Sequence, residues 1–313
     1  MKLYIKANNI KVLKNLDTLL PNANAKAEFL LGKYAYAEYK ANLEGAKVLD
    51  ELKEDLFYES KRLGKLVKGI YFGNSSCEHL LPSIAELVEA QSICMKQHYN
   101  FVFVFPPLSA FKMEEAEYLM KHLAQSEENE VVVNDIGTLQ LLLQYKSLKP
   151  ILGLNFTKVI KNAFIDVVKP TELSSIQLEN QKELLSHLEF EVPEVREFYK
   201  ALNIGRFAIE NINLDMEFLD TAPRMYCDFY YPHITLANSK ACDIAGAFDD
   251  QRGHFVHEDC SRYCNYASLE FGNADTLKLQ QRYNTVYKTN TQLEVPNVLK
   301  KNSKNRFIWE LFL

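Results

Sequence analysis

The sequence predicts an α/β protein in which a (β/α) barrel of the TIM type follows an N-terminal, mainly helical extension. Three observations predict this fold: short strands and amphipathic helices alternate along the chain, the strands are apolar almost throughout, and seven or eight such units are present. Strands that are apolar on both faces are typical of a parallel sheet covered by helices. No G-x-G-x-x-G follows an early strand, which argues against an open dinucleotide-binding sheet.

Residues 1–66 form the predicted extension, and residues 67–313 form the predicted barrel domain. The extension begins with a possible strand, KLYIKA, and then shows helical spacing of apolar residues from Asn24 to Lys65. The RFIWELFL tail is interpreted as a docking segment after a solvated turn. The candidate strands of the barrel domain are GIYFG (69–73), FVFVF (101–105), EVVVN (130–134), PILGLN (150–155), FIDVV (164–168), RFAIE (206–210), RMYCDFYY (224–231), ASLEFG (267–272) and YNTVYKT (283–289).

Composition narrows the class of protein. The formal net charge of −5 argues against nucleic acid as an obligate partner, because proteins that bind phosphate backbones usually carry a basic excess. The N-terminus lacks the apolar stretch of a signal peptide, and no apolar run is long enough to span a membrane. We therefore expect a cytoplasmic protein, in which the six cysteines serve as thiols or metal ligands rather than as disulfides.

Four of the six cysteines are candidate metal ligands. Cys94 lies in a predicted helix beside Ile93 and Met95, and Cys227 alternates with Met225 and Phe229 on one face of a predicted strand, so both are interpreted as packed thiols. The other four lie in loop-like segments where the backbone can present a side chain; they are Cys77, Cys242, Cys260 and Cys264.

The spacing of the cysteines does not identify the metal. Zinc is expected to accept Cys260 and Cys264 together with His254 and His257, or with Cys242. An iron–sulfur cluster would take four thiolates from distant segments. The C-x3-C spacing of residues 260 and 264 is a weak signal for either.

Four short motifs in order carry a resemblance to a known family. IYFGNSSCEHLLP, VVVNDIGTLQLL, PHITLANSKAC and CSRYC resemble the collagenase-like peptidase U32 family, and within it the UbiV-type branch of anaerobic ubiquinone biosynthesis. The resemblance covers residues 67 to 290. Pro232 stands where the branch has glycine before a histidine, and Thr235 stands where larger members place an additional cysteine.

The resemblance implies a barrel with a [4Fe–4S] cluster on Cys77, Cys242, Cys260 and Cys264. It implies participation in oxygen-independent hydroxylation, with prephenate as the apparent oxygen donor and a U32-family partner subunit in a heterodimer. Peptidase activity is not expected, because the chain has no H-E-x-x-H and no G-x-S-x-G motif. Two alternatives remain: a non-catalytic, cluster-bearing partner subunit and a zinc-stabilised barrel of other activity.

Five further residues are candidates for supporting roles. His233 is a candidate donor to the cluster or the substrate, or a structural histidine. Arg224 and Arg206 are candidates to clamp a dicarboxylate, because each lies near a predicted strand end. Arg252 and Arg262 are expected to make the cysteine loops electropositive.

Overall fold

Eight parallel strands close into a barrel, as predicted. The computed structural model describes residues 1–16, 44–57, 63–126, 129–157, 176–177, 180, 183, 187–212, 214–248, 260–265, 267–271, 279–290 and 292–311. The barrel strands are β1 (Lys2–Ala7), β2 (Val67–Phe72), β3 (Asn100–Val104), β4 (Glu130–Val133), β5 (Lys149–Leu152), β6 (Arg206–Glu210), β7 (Tyr226–Tyr231) and β12 (Arg306–Leu311). Their order around the barrel is β1-β12-β7-β6-β5-β4-β3-β2.

A second, antiparallel sheet of four strands lies at the carboxyl end of the barrel strands. It consists of β8 (His233–Asn238), β9 (Leu269–Phe271), β10 (Leu279–Arg282) and β11 (Thr285–Thr289), in the order β8-β11-β10-β9. Hydrogen bonds join this sheet to the barrel; among them, the Thr235 backbone N–H donates to Glu210 at 2.7 Å, and Asn238 donates to Asn155 at 3.2 Å. The predicted strands ASLEFG and YNTVYKT therefore exist, but they belong to this sheet.

Helices cover the outside of the barrel. The described helical segments are Ile10–Lys14, 44–57, Leu63–Leu66, Ile84–Lys96, Met113–Leu123, Ile136–Leu142, Pro193–Ala201, Phe218–Thr221, Asp243–Phe248 and Asn297–Lys301. Ile84–Lys96 begins with a capping box between Ser83 and Glu86, which satisfies backbone donors that a helix start leaves unpaired. None of the described helices combines the length and the apolar character needed to cross a bilayer.

The strand pleat divides the core into two parts. Alternate residues of β1, such as Leu3 and Ile5, point outward and pack with residues of the surrounding helices. The residues between them point into the barrel, where a separate cluster fills the interior: Tyr4, Tyr71, Val102, Val104, Val132, Ile151, Ala208, Tyr230 and Ile308. The middle of the barrel is therefore packed, and a ligand has access only from an end.

An ion network fills the amino end of the barrel. Arg206 pairs with Asp228 at 2.8 Å, and Arg306 pairs with Glu130 at 2.6 Å. Tyr71 donates its hydroxyl proton to Asp228 and accepts from Arg306 at 2.8 Å. Each buried charge has a partner of opposite sign, so removal of one partner would leave an uncompensated buried charge.

Both chain ends contribute strands to the barrel, which differs from the prediction. KLYIKA is β1, so the barrel begins inside residues 1–66 and its start does not coincide with residue 67. The RFIWELFL tail contains β12, which pairs with β1 and β7; the interpretation as a docking segment was wrong. The predicted strand at 164–168 and the predicted helices between residues 24 and 43 lie outside the described residues.

Candidate metal centre

The four candidate cysteines line one partly enclosed cavity. Cys77, Cys242, Cys260 and Cys264 all contribute to its wall. Cys77, Cys242 and Cys264 are buried and belong to one hydrophobic cluster with Tyr283 and Tyr287, while Cys260 is half-buried. All six cysteines of the chain are described, and none forms a disulfide. The fold thus brings together thiols that are up to 187 positions apart in the sequence.

The loop after β2 presents Cys77. Gly73 has a φ of +122°, and a Cβ at this position would lie 2.4 Å from the Val104 carbonyl oxygen, so only glycine fits. The Asn74 side-chain oxygen accepts from the backbone N–H of Ser76 at 2.9 Å and of Cys77 at 2.8 Å. The strand end, the glycine and the asparagine together set the direction of the Cys77 side chain.

Cys242 lies immediately before the helix Asp243–Phe248. Its Sγ donates to the backbone oxygen of Tyr283 at 3.3 Å. The backbone N–H groups of Ala245 and Ile244 donate to the same sulfur. A sulfur that receives backbone N–H donors is favoured in its thiolate form, which is the form that binds metals.

The C-x3-C pair approaches the cavity from a separate loop. Cys264 is the middle residue of the 3-10 helix Tyr263–Asn265, and Cys260 is four residues earlier. The ring of Tyr263 stacks on Phe248 at a centroid distance of 4.9 Å, which fixes this short helix against Asp243–Phe248. The contact therefore holds the third cysteine loop beside the second.

Burial keeps the three enclosed thiols protonated in the absence of metal. The pKa of Cys77 is raised to about 12, mainly by burial and in part by the neighbouring thiols of Cys260 and Cys242, whereas backbone donors of His79 and Leu80 oppose the rise. Burial also raises the pKa of Cys242 and of Cys264, and the pKa of Cys264 is raised by all three other cysteines. The mutual effects on pKa show that the four sulfurs lie within electrostatic range of one another.

Polar residues form the rim of the cysteine cavity. Burial tends to raise the pKa of Glu78, but hydrogen bonds from Ser109 and Lys240 lower it overall. Lys240 pairs with Glu78 at 3.0 Å. Burial lowers the pKa of His79, as do the charges of Lys112, Lys240 and Arg262, which outweigh the effect of Glu78. Arg262, which was predicted to make the cysteine loops electropositive, thus lies near this rim, where its charge lowers the pKa of His79.

A second cavity opens at the mouth of the barrel, next to the cysteines. It is lined by Lys6, Asn8, Asn74, Ser75, Ser76, Leu154, Asn155, His233, Thr235, Asn238, Arg282, Tyr283, Thr285, Tyr287 and Glu310. The loop 74–77 and the turn 283–285 contribute to both cavities. The carboxyl ends of barrel strands are where the active sites of such barrels lie. The two cavities are therefore adjacent and share parts of one loop and one turn.

Lys6 and Glu310 form a buried ion pair in the mouth. Lys6 is 1% exposed, and its ammonium group contacts Glu310, Asn8 at 2.8 Å and Ser75 at 3.1 Å. β1 and β12 carry the two charges and lie side by side in the barrel. The Asn8 amide nitrogen is buried without a hydrogen-bond partner, so it is a donor that a ligand can use.

His233 lines the mouth together with the cations Lys6 and Arg282. Burial lowers its pKa well below the ordinary value, and the charges of Lys6 and Arg282 lower it further. The ring contacts Thr289 at 3.2 Å and meets Tyr287 edge to face at 5.0 Å. The imidazole is therefore neutral at physiological pH and can accept or donate one hydrogen bond.

The two predicted dicarboxylate clamps lie at the opposite end of the barrel. Arg206 is the first residue of β6 and is engaged with Asp228, and Arg224 precedes β7 and is exposed. Both are at the amino ends of their strands, whereas the active sites of such barrels lie at the carboxyl ends, so their position gives no support to the predicted clamp role. The sequence showed that they were near strand ends, but the end that matters is the carboxyl end.

Three sequence candidates lie outside the described residues: Arg252, His254 and His257. Within the described part of the chain, no group of three or more His, Cys, Asp or Glu side chains is already arranged around a single metal position. A single zinc ion would need its sulfurs roughly 3.8 Å apart, as follows from Zn–S bonds of about 2.3 Å in a tetrahedron. In a four-iron cluster each thiolate binds a different iron.

Four residues of these cavities were not recognised in the sequence. Lys6 and Glu310 had a detectable signal, because each is a charged residue inside an otherwise apolar strand, a position where charges are rare unless paired. Arg282 lines the mouth, and its charge counteracts the raised pKa of Cys264. Asn284 lines the cysteine cavity from the turn between β10 and β11, and no sequence signal marked it.

Comparison of the chain with protein-family models, with curated proteins and with solved structures finds no match. The family resemblance therefore remains a prediction, and the functional assignment depends on the geometry of the two adjacent cavities.

Proposed function

We propose that this chain is an iron–sulfur protein that holds a [4Fe–4S] cluster on Cys77, Cys242, Cys260 and Cys264. We propose further that it takes part in oxygen-independent hydroxylation, as the resemblance to the U32 family implies, as one subunit of a cytoplasmic complex. The single observation that supports the metal centre best is the shared cavity, to which three separate loops contribute all four thiols.

The donor set fits the proposed cluster. Four thiolates are the usual ligands of a [4Fe–4S] cluster, and soft sulfur ligands select iron–sulfur clusters, zinc or copper(I) over hard cations. Binding must displace the protons that burial keeps on the thiols, and the backbone donors to Cys77 and Cys242 favour this exchange. When bound, such a cluster supplies one-electron chemistry beside the barrel mouth.

The mouth supplies the proposed substrate cavity. Its described lining carries two cations, Lys6 and Arg282, against one carboxylate, Glu310, and the neutral imidazole of His233. A net positive lining with an unused amide donor from Asn8 suits a ligand that carries a carboxylate. An oxygen donor such as prephenate, which the resemblance implies, has this chemistry.

The proposal is tested by purifying the protein without oxygen and measuring iron, acid-labile sulfide and zinc per chain. We expect a brown protein with iron and sulfide in equal amounts, about four of each. Zinc at one per chain, without iron, would contradict the cluster and support a zinc-stabilised barrel.

The catalytic role is tested separately, on protein that contains the cluster. Hydroxylation of a phenolic ubiquinone precursor, with prephenate supplied, is measured for this chain alone and for the chain with its co-purified partner. We expect activity only with the partner present and only when the cysteine site is intact. A complex that keeps full activity after the four cysteines are replaced would show that the cluster takes no part in catalysis.

A further inference from the structure

We propose that Asn284 is a positioning residue for the metal centre: its side-chain amide joins two of the three cysteine loops and holds their thiols in register. This inference rests on the proposed function, because it concerns retention of the cluster. Asn284 is not itself a proposed ligand.

The first observation is the pair of hydrogen bonds made by one amide nitrogen. Asn284 Nδ2 donates to the backbone oxygen of Ser76 at 3.1 Å and to that of Ser239 at 2.5 Å. Ser76 immediately precedes Cys77, and Ser239 is three residues before Cys242. The backbone oxygen of Asn284 also accepts from Ser239 N–H at 3.1 Å. One side chain thus connects two segments that are 163 positions apart in the sequence.

The second observation is the location of Asn284 itself. It is 8% exposed and forms part of the wall of the cysteine cavity. Its amide oxygen is buried and has no hydrogen-bond partner. The Asn284 amide must point its –NH₂ group at the two backbone carbonyl oxygens, because only the nitrogen can donate. In this orientation the amide oxygen has no donor to accept from.

The third observation is the strained turn that carries Asn284. Tyr283 has a φ of +59°, which lies in the left-handed region that non-glycine residues rarely adopt. In this conformation the Tyr283 carbonyl accepts from Cys242 Sγ at 3.3 Å, while the ring of Tyr283 packs among the cysteines. Strain of this kind persists where surrounding contacts determine the backbone, and here those contacts go to the cysteine loops.

The test compares Asn284→Asp and Asn284→Ser with the wild-type protein. The Asp variant places a carboxylate against two carbonyl oxygens, and the Ser variant removes the amide while remaining compatible with a turn. Asn290→Asp is the matched control: Asn290 follows β11 at its other end, and its amide donates to Asn211 O at 3.2 Å, away from the cysteine cavity. Cluster is installed without oxygen in all four proteins.

We measure the rate of iron release to a chelator, the electron paramagnetic resonance spectrum of the reduced cluster and the melting temperature of metal-free protein. Residues that orient metal ligands typically change metal affinity by ~10–100-fold, so both Asn284 variants should release iron about tenfold faster or more. Their spectra should change while their metal-free melting temperatures stay close to that of the wild type. The Asn290→Asp control should release iron at the wild-type rate.

The failures are distinguishable. A wild-type protein that binds no iron refutes the proposed function. If the wild-type protein binds a cluster, and the Asn284 variants release iron at the wild-type rate and give the wild-type spectrum, only the positioning role is refuted. If neither Asn284 variant folds without metal while metal-free wild type does, Asn284 stabilises the fold rather than the centre, and the inference is likewise wrong.

Discussion

Each buried thiol of the candidate centre combines two opposing requirements. Burial raises the pKa of Cys77 to about 12, so the sulfur is protonated when no metal is bound. Ligation requires the thiolate, and metal binding therefore releases protons. The backbone N–H donors of His79 and Leu80 offset part of the cost at Cys77. The proposed cluster would therefore have to compensate the charge of the three buried thiols Cys77, Cys242 and Cys264 when they ionise.

His233 provides a prediction at the residue scale. Its pKa is lowered in the folded protein by burial and by Lys6 and Arg282, so the unfolded chain binds a proton that the folded chain does not. The stability contribution is full above the unfolded pKa of about 6.5 and is lost as the pH falls toward the folded pKa. From pH 6.5 to pH 5, we expect wild-type unfolding free energy to fall by roughly 1.5 kcal/mol more than that of His233→Gln.

Urea unfolding of metal-free protein at a series of pH values measures this difference. Thr289→Val keeps the imidazole but removes its hydroxyl contact, so it should retain the wild-type pH dependence. Parallel curves for wild type and His233→Gln would show that the imidazole has the same pKa in the folded and unfolded chains, contrary to the account.

At the scale of a structural element, Gly73 determines the backbone path of the loop that carries Cys77. The glycine ends β2 and allows the chain to pass against the Val104 carbonyl. Gly73→Ala should destabilise the protein by about 2–4 kcal/mol, because a side chain is strained at this φ and the Cβ has no space. Equilibrium denaturation measures the change.

Gly137→Ala is the control for this prediction. Gly137 lies in the helix Ile136–Leu142, where alanine is the better helix former by about 1 kcal/mol, although the new Cβ lies 3.2 Å from Asp135 Oδ1. We expect a change within about 1 kcal/mol of wild type. Equal costs at the two positions would mean that Gly73 is not held in the strained conformation.

The pairing of β1 with β12, the first and last strands of the barrel, is the second feature at the scale of structural elements. The Lys6–Glu310 pair lies where the first and last strands meet, with Lys6 fully enclosed. Lys6→Met leaves a buried carboxylate without its cation and should cost about 3–5 kcal/mol. Glu310→Gln removes the uncompensated carboxylate. The double variant Lys6→Met/Glu310→Gln should therefore lose about 1–3 kcal/mol less unfolding free energy than the two single variants lose in sum. Additive losses in a double-mutant cycle would contradict the pair.

At the scale of the whole molecule, local sequence patterns predicted the barrel. The strands at 69–73, 101–105, 130–134 and 206–210 were confirmed because continuous apolar runs mark strands buried on both faces. The role of the tail was not predictable in this way. Pairing of β12 with β1 joins residues about 300 positions apart, and hydrophobic periodicity carries no information on partners.

The cysteines were more predictable than their surroundings. Cys77, Cys242, Cys260 and Cys264 were recognisable because they stood in polar loops after strand ends, unlike Cys94 and Cys227. Asn284 was not, since its contribution arises from the fold of a sheet that the sequence did not predict as a unit. Arg206 and Arg224 are the first residues of their predicted strands, so chain direction already placed them at the amino end of the barrel.

The central claim is that four cysteines from three loops share one inorganic centre. It is tested most directly by iron and acid-labile sulfide content, measured in oxygen-free preparations of wild type and of the variants Cys77→Ala, Cys260→Ala and Cys227→Ala. We expect about four of each per wild-type and Cys227→Ala chain, and loss of most of both from the other two. Full iron and sulfide in Cys77→Ala, with loss in Cys260→Ala, would separate residue 77 from the centre and contradict the account.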